Sequence, residues 1–460
     1  MEQTLIFDPE LIQRYDRAGP RYTSYPTAPQ FHEGFNEAVY RQHAQASNTA
    51  GRPLSLYVHL PFCDTACYYC ACNKVATKDR SRSGEYLEYL FHEIELQAPL
   101  FRRDRPVDQL HFGGGTPTFL SHDELRALMG ELGRHFSLRR DGGAEYSIEI
   151  DPREVEPDTL QLLGSLGFNR LSVGVQDFDP VVQKAVNRIQ SEAETLAAIT
   201  AARGAGFKSV SVDLIYGLPF QSVRTFLETL ERVLAIGPDR MAVFNYAHLP
   251  HQFKQQKRIR AEDIPAPEEK LRILGATIER LTSAGYVYIG MDHFARPGDE
   301  LAVAQREGTL HRNFQGYSTH ADCDLVGLGV TAIGKVGDTY SQNRRTLLEY
   351  YALVEADHIP VFRGLALDAD DRLRRQVITQ LICQFELDFA KIEAEHGIDF
   401  QSYFDTELSE LRAMERDGLL HLKPGRIEVL PRGKLLIRNV CMTFDRYLRK
   451  GTEVRYSKVI

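Results

Sequence analysis

Three thiols stand close together at Cys63, Cys67 and Cys70, in the run CDTACYYCAC that follows a stretch of alternating apolar residues. The spacing C-x3-C-x2-C delivers three thiolates from one short loop, one fewer than a closed tetrahedral metal site requires. Cysteine thiolate is the usual protein ligand of iron–sulfur clusters, and an iron left without cysteine can bind a small molecule. Cys72 follows directly as a fourth thiol. A zinc knuckle would show paired C-x2-C units, often with histidine beyond a longer loop, and no second pair is present. Zinc stays open as the lesser alternative. A disulfide framework needs a secreted context. The loop points to redox chemistry more than to a structural staple.

Elements able to position such a loop alternate along the middle of the chain. Strand candidates are PLSLYVHL (53–60), VDQLHF (107–112), YSIEI (146–150), RLSVGV (170–175), SVSVDLIY (209–216) and MAVFNY (241–246), with YVYIGM (286–291) a further candidate. Between them lie amphipathic helical runs: GEYLEYLFHEIELQAPLF, DELRALMGELGRHF, EAETLAAITAARGAGF, RTFLETLERVLAIG and PEEKLRILGATIERLTSAG. Strands alternating with helices imply parallel pairing through right-handed crossovers. Six or more such units predict an α/β fold, a full or partial β/α barrel, with a doubly wound open sheet as the competitor. In both, ligands collect at the carboxyl ends of the strands.

Chemistry-bearing residues fall at those ends. Cys63 follows the first strand and the run Gly113, Gly114, Gly115, Thr116 the second. Glu149, Asp151 and Arg153 close the third, Gln176 and Asp177 the fourth, and Asp213 lies on the fifth. Asn245, Ala247 and His248 end the sixth. Three glycines permit close backbone approach to a ligand, although a tight turn would use them equally. Tyr57 on the first strand is placed to stack on a base, or is an ordinary core tyrosine. Glu149 and Asp213 suit ribose hydroxyls or an amino group, or an internal salt bridge. Arg188 suits a carboxylate, or is a solvated helix charge. Arg21, Arg296 and Arg312 are available to substrate carboxylates, although such residues are more often surface ion pairs.

The N-terminal run GPRYTSYPT (19–27) has no period and is too aromatic for a linker, so it reads as a strap over a site. HRNFQGYST (311–319) and DLVGLGVTAIG (324–334) read as glycine-containing loops. After about residue 365 the pattern becomes helical, with a short strand RIEVL (426–430), which suggests a separate winged-helix-like domain acting as lid or scaffold. Three regions are expected: 1–50 strap and helix, 51–364 barrel with extension, 365–460 helical domain. A net charge of −8 argues against a general nucleic-acid or anionic-membrane footprint. There is no signal-peptide pattern and no apolar run long enough to span a bilayer, so a cytoplasmic location with reduced thiols is expected. Cys323, Cys383 and Cys441 read as small buried hydrophobes.

C-x3-C-x2-C with Tyr69 before its last cysteine resembles the radical S-adenosylmethionine superfamily. GPRYTSYPT, LYVHLPFC, CACNK, HFGGGTPT, IEIDPRE, GVQDF, DLIYGLP, FNYAHLP, GMDHFARP and HRNFQGYST, in that order from near residue 10 onward, resemble its oxygen-independent coproporphyrinogen III oxidase family. Heme-chaperone-like relatives share the cysteine and GGGTP motifs but lack the strap and the C-x-C that ends in Cys72. Departures from the family pattern are small: Ala71 for a commoner glycine, Phe112 for tryptophan, Tyr69 for phenylalanine.

The resemblance implies a partial β/α barrel with an N-terminal strap and a C-terminal mainly helical domain. It implies a [4Fe–4S] cluster on Cys63, Cys67 and Cys70, with Cys72 not a ligand, and S-adenosylmethionine chelating the open iron. It implies two S-adenosylmethionine molecules, the first at Tyr57, Gly114, Glu149 and Ile333, the second at Tyr69, Gly115, Thr116, Gln176, Arg188, Asp213 and Ala247. The implied reaction uses 5′-deoxyadenosyl radicals to convert two propionates of coproporphyrinogen III to vinyl groups, giving protoporphyrinogen IX. A reduced flavodoxin-like electron donor and a monomeric enzyme are expected with it. Three rival functions stand beside this one: a heme carrier with a vestigial cluster, a zinc-stabilised binding protein and a radical heme methyltransferase.

Overall fold

The computed structural model describes residues 5–320 and 323–449. The chain divides into two compact units, each discontinuous in sequence. One comprises Phe31–Ile273 and Asp322–Ala366, the other Met1–Gln30, Leu274–Ala321 and Leu367–Ile460.

The first unit holds six strands in register with the apolar runs of the sequence: β1 (Leu54–Leu60), β2 (Pro106–Gly114), β3 (Glu145–Ile150), β4 (Arg170–Gln176), β5 (Ser209–Tyr216) and β6 (Arg240–Asn245). Each pairs in parallel with the next. The crossovers are helices α1 (Ser81–Gln97), α2 (His122–His135), α3 (Pro157–Ser165), α4 (Glu192–Gly204) and α5 (Val223–Ile236). Local chemistry sets their ends. Ser121 with Glu124 and Ser191 with Glu194 form capping boxes on α2 and α4. Gly237 closes α5 in the left-handed conformation. These parallel strands and their crossover helices form the expected β/α array, in which ligands collect at the carboxyl ends of the strands.

A seventh parallel strand, β7 (Asp324–Leu328), lies beside β1. It falls inside 324–334, where the sequence suggested a loop. All five of its residues are buried, so it carries no polar–apolar alternation to betray it. Gly327 is obligatory there: a Cβ would lie 2.8 Å from the carbonyl carbon of Ile333. An Arg105–Asp324 ion pair of 2.5 Å, both side chains 1% exposed, fixes the strand's start. The sheet continues antiparallel through β8 (Ile333–Val336), β9 (Thr339–Asn343) and β10 (Val361–Ala366). The 286–291 candidate is a strand, Val287–Gly290, but it pairs antiparallel with His293–Ala295 instead of extending the parallel series. The expected loop at 311–319 is a hairpin, His311–Asn313 with Gly316–Ser318.

In the second unit, helices Ala369–Gln384, Asp405–Arg416 and Ile437–Thr443 accompany a three-stranded antiparallel sheet, Glu386–Asp388, Arg426–Val429 and Leu420–Lys423. The strap is stitched to this helical part by polar ties across the whole chain length. Arg438 Nε donates to the Pro20 carbonyl at 2.9 Å and its Nη2 to that of Gly19, while Tyr22 OH donates to Asp445 at 3.0 Å. No helix among the described residues is long and apolar enough to cross a membrane.

Candidate functional site

The cysteine loop leaves β1 and closes on itself. Phe62 and Cys63 pair in parallel with Val75 and Ala76, and Thr77 N–H donates to the Cys63 carbonyl at 2.9 Å. Cys63 and Cys67 are buried, Cys70 is half-buried and Cys72 is exposed. Segments that follow β2, β3, β4 and β6 hold the loop from different sides.

From the end of β2, Gly115 N–H donates to the Leu60 carbonyl at 2.8 Å and Thr116 N–H to that of Phe62 at 2.7 Å. Thr116 Oγ1 reaches Cys63 Sγ at 3.6 Å. A Cβ on Gly115 would lie 2.4 Å from the Phe62 carbonyl oxygen, and one on Gly114 2.6 Å from the His59 ring. The glycine run therefore lets β2 press against the cysteine loop itself. Burial raises the Cys63 thiol pKa to about 12, only partly countered by Thr116. A metal charge is what would stabilise its thiolate.

From the end of β3 and the loop after β4, Arg188 Nη1 and Arg153 Nη2 lie 3.6 and 3.8 Å from Cys67 Sγ. Both guanidinium groups pair with Asp151, at 2.8 and 2.5 Å. Burial opposes ionisation of Asp151, but the two arginines outweigh it and hold its pKa below the ordinary carboxylate value. Asn187 Nδ2 donates to the Ala66 carbonyl at 3.0 Å. Cys67 thus sits against two guanidinium groups that share one carboxylate.

From beyond β6, Gln256 Nε2 donates to the Tyr69 carbonyl at 2.9 Å and to that of Ala247 at 3.2 Å, and Gln255 donates to the Cys70 carbonyl. Tyr68 and Tyr69 pack on Val182, Val186, Leu218, Tyr246 and Ile259.

Deeper in the barrel the remaining candidates interlock. Tyr57 stacks on His111 with ring centres 5.8 Å apart, and its hydroxyl lies 3.0 Å from His59 Nδ1. His111 Nε2 lies 3.2 Å from Glu149, whose other oxygen accepts from Gly114 N–H at 3.4 Å. Burial works against the Glu149 charge, yet His111 and that N–H hold its pKa below the usual range. Ser172 donates to Asp213 at 2.9 Å, but burial and the nearby Glu149 charge raise Asp213 to about 7. Gln176 has φ +69° at a register break of the β4–β5 pair. A Cβ on Gly174 would meet Gln176 Nε2 at 3.0 Å and Arg188 Nη2 at 3.1 Å, so these two side chains converge above one glycine. The Ile333 backbone packs over Gly327, the register partner of Tyr57.

Buried Gln176 Oε1, Asn245 Oδ1 and Arg188 Nε have no hydrogen-bond partner. Orphaned polar atoms at strand ends beside three thiols are what a site for a polar cofactor presents. The donor set, three thiols of one loop with outer-sphere hydroxyl and guanidinium groups, fits a cluster with one iron free of cysteine. The His59–Tyr57–His111 group, in which Tyr57 stacks on His111, and the two glutamines at 255 and 256 escaped the sequence reading. The signal for the former lay in the motifs LYVHL and HFGGG, where each histidine is two residues from a candidate; nothing local marks the glutamines.

Arg21, Arg296 and Arg312 belong to the other unit. Arg21 pairs with Asp292 at 2.8 Å. Arg312 is 8% exposed, lies over the Tyr317 ring, and its Nε and Nη1 have no hydrogen-bond partner.

The family model described as the radical SAM superfamily matches residues 57–233, and that of the HemN C-terminal domain matches 367–436. Over its full length the chain is 54% identical to the oxygen-independent coproporphyrinogen III oxidase of Pseudomonas aeruginosa, covering 100% of both. It is 50% identical to that of Escherichia coli K12, covering 100% of this chain and 99% of the relative. The solved structure of coproporphyrinogen III oxidase (HemN) from Escherichia coli, described as a radical SAM enzyme, superposes with a TM-score of 0.92 at 49% identity, covering 97% of this chain and 100% of that one.

Proposed function

The chain belongs to the oxygen-independent coproporphyrinogen III oxidase family, and on that premise we propose which of its residues carry the reaction. It is a radical S-adenosylmethionine enzyme of heme biosynthesis that oxidatively decarboxylates two propionate side chains of coproporphyrinogen III to vinyl groups, giving protoporphyrinogen IX. When bound, its [4Fe–4S] cluster and S-adenosylmethionine supply a one-electron reductive cleavage that generates the hydrogen-abstracting 5′-deoxyadenosyl radical.

The chain's own residues hold, orient and shield that chemistry. Cys63, Cys67 and Cys70 are the cluster ligands. Thr116, Arg153 and Arg188 donate toward their sulfurs, which lowers thiolate basicity and steadies the loop. Cys72 is not a ligand; its backbone N–H donates to Cys70 Sγ at 3.4 Å. Two S-adenosylmethionine molecules bind. Tyr57, Gly114, Glu149 and Ile333 would hold the first, with the Glu149 carboxylate available to its amino group. Tyr69, Gly115, Thr116, Gln176, Arg188, Asp213 and Ala247 hold the second, with the unpartnered Gln176 Oε1 accepting from it. Arg21 and Arg312 take substrate carboxylates, and the unpartnered guanidinium nitrogens of Arg312 recommend it first. Electrons come one at a time from a reduced flavodoxin-like protein, and the enzyme works as a monomer in the cytoplasm.

The observation that supports this reading best is the convergence of Arg153, Arg188 and Asp151 on Cys67, beside polar atoms that nothing in the protein satisfies. The test is an anaerobic assay of reconstituted protein with dithionite, S-adenosylmethionine and coproporphyrinogen III. Expected are loss of two carboxyl groups by product mass, 5′-deoxyadenosine release, and two bound S-adenosylmethionine per chain by equilibrium dialysis. An iron-loaded protein that never cleaves the sulfonium would sink the assignment. A single bound equivalent would remove the second set of contacts.

A further inference from the structure

Each sulfonium cleavage consumes one electron, so some face of the protein must bring a donor close to the cysteine loop. The segment Lys254–Arg258 is seated directly on that loop, through Gln255 to the Cys70 carbonyl and Gln256 to that of Tyr69. Its basic side chains are exposed: Lys254, Lys257 and Arg258, the last lying over the Tyr68 ring with Nη1 donating to its hydroxyl at 3.2 Å. No acidic residue occurs between 247 and 261, and the next two, Glu262 and Asp263, are tied to Arg260 at 3.6 and 2.7 Å. A concentrated positive charge therefore stands on a chain whose net charge is −8.

The same neighbourhood exposes apolar surface. The cluster beneath Tyr68 and Tyr69 draws Val182 and Val186 from one segment and Leu218 from another. Those segments carry Val181, Ile189 and Phe220, at 57%, 71% and 47% exposure. They are half of the six large hydrophobic residues that the described chain leaves exposed. Phe220 is held outward at φ +65°, with its N–H donating to the Asp263 carbonyl at 2.8 Å. Small apolar patches beside one sign of charge suit brief, electrostatically steered encounters.

We propose that this basic face is the docking surface for an acidic protein that carries one electron at a time. The carrier is oxidised by one electron and the cluster reduced by one, with the 254–258 segment bonded to the backbone of the loop that would hold the cluster. The inference rests on the radical S-adenosylmethionine reading of the site.

The test compares holoenzyme with the double variant Lys254→Glu, Lys257→Glu, driven either by reduced flavodoxin or by dithionite. With flavodoxin, the KM for the carrier rises about 10-fold or more, and the steep salt dependence seen with wild type flattens. With dithionite the two enzymes turn over equally. An unchanged flavodoxin KM, or a wild-type rate indifferent to salt, overturns the proposal. Should the double variant lose its dithionite rate, Lys257→Gln is read in its place, where an unchanged KM again overturns it. Wild type inactive with dithionite would instead refute the underlying reading of the cysteine loop.

Discussion

The two units place their buried charges to different ends. In the barrel unit, Asp151, Arg153 and Arg188 gather around a cysteine and leave Arg188 Nε and Gln176 Oε1 without partners. In the other unit, Arg438 binds backbone carbonyls of Gly19 and Pro20, Tyr22 binds Asp445, and Arg446 binds Asp368 and Asp370. The first set is incomplete until something joins it, whereas the second fastens one piece of chain to another. Arg312 is buried in the second unit with two nitrogens unused, and Arg446 there also leaves its Nε without a hydrogen-bond partner. Unpartnered buried polar atoms beside the thiols suit a ligand that will meet them, whereas the strap's bonds find their partners within the protein.

The contrast breaks most sharply at the thiols. Cys63→Ser should leave a folded protein without brown absorbance, stoichiometric iron or 5′-deoxyadenosine formation. Retained 5′-deoxyadenosine production would contradict the ligand assignment. Arg188→Met comes next. It leaves Asp151 with Arg153 alone and removes a donor to Cys67 Sγ. Because Asp151 keeps Arg153, the loss of stability stays below the ~3–5 kcal/mol of an orphaned buried charge, while loss of an outer-sphere partner lowers activity about 10–100-fold. Iron content and turnover measured side by side check both; if neither moves, the network is only scaffolding.

A smaller effect is expected from the closed network. Arg438→Met strips a donor from the carbonyls of Gly19 and Pro20, at about 1–3 kcal/mol. The barrel should be untouched, so S-adenosylmethionine cleavage without substrate persists while decarboxylation falls and the strap becomes sensitive to proteolysis. Equal loss of both activities would mean that the strap supports the barrel's chemistry and that the division between the networks is false.

The units also differed in how much their sequence disclosed. Strands β1 to β6 could be read because each apolar run and its helix are contiguous, and period alone reveals them. Cys63, Cys67 and Cys70 were legible for the same reason: three thiols in eight residues need no tertiary information to stand out. β7 was hidden because a strand buried on both faces and interrupted by Gly327 has no alternation. The meeting of Asp151 with Arg188 could not be foreseen from spacing, since 37 residues and a strand separate them. The strap's ties to Asp445 and Arg438 span more than 400 residues and leave no local trace. The motif IEIDPRE flagged Asp151 and Arg153 as candidates without saying what they would face.

The finest distinction between open and closed networks lies in Asp213. Burial, the first cause, and the charge of Glu149 raise its pKa to about 7, and the single bond from Ser172 does not compensate. Its folded-state pKa exceeds the ordinary value of 3.8. The neutral carboxyl therefore favours the fold fully below about pH 4, and that contribution is lost as the pH rises through about 7. Asp213→Asn removes the titration. The melting temperature of the unliganded variant should accordingly gain on wild type between about pH 5 and about pH 8. A cationic ligand beside Asp213 favours the carboxylate, so S-adenosylmethionine should protect wild type more at the upper end of that range, and the variant equally throughout. Parallel melting curves across that interval would mean that Asp213 is already satisfied, and would move it from the open network to the closed one.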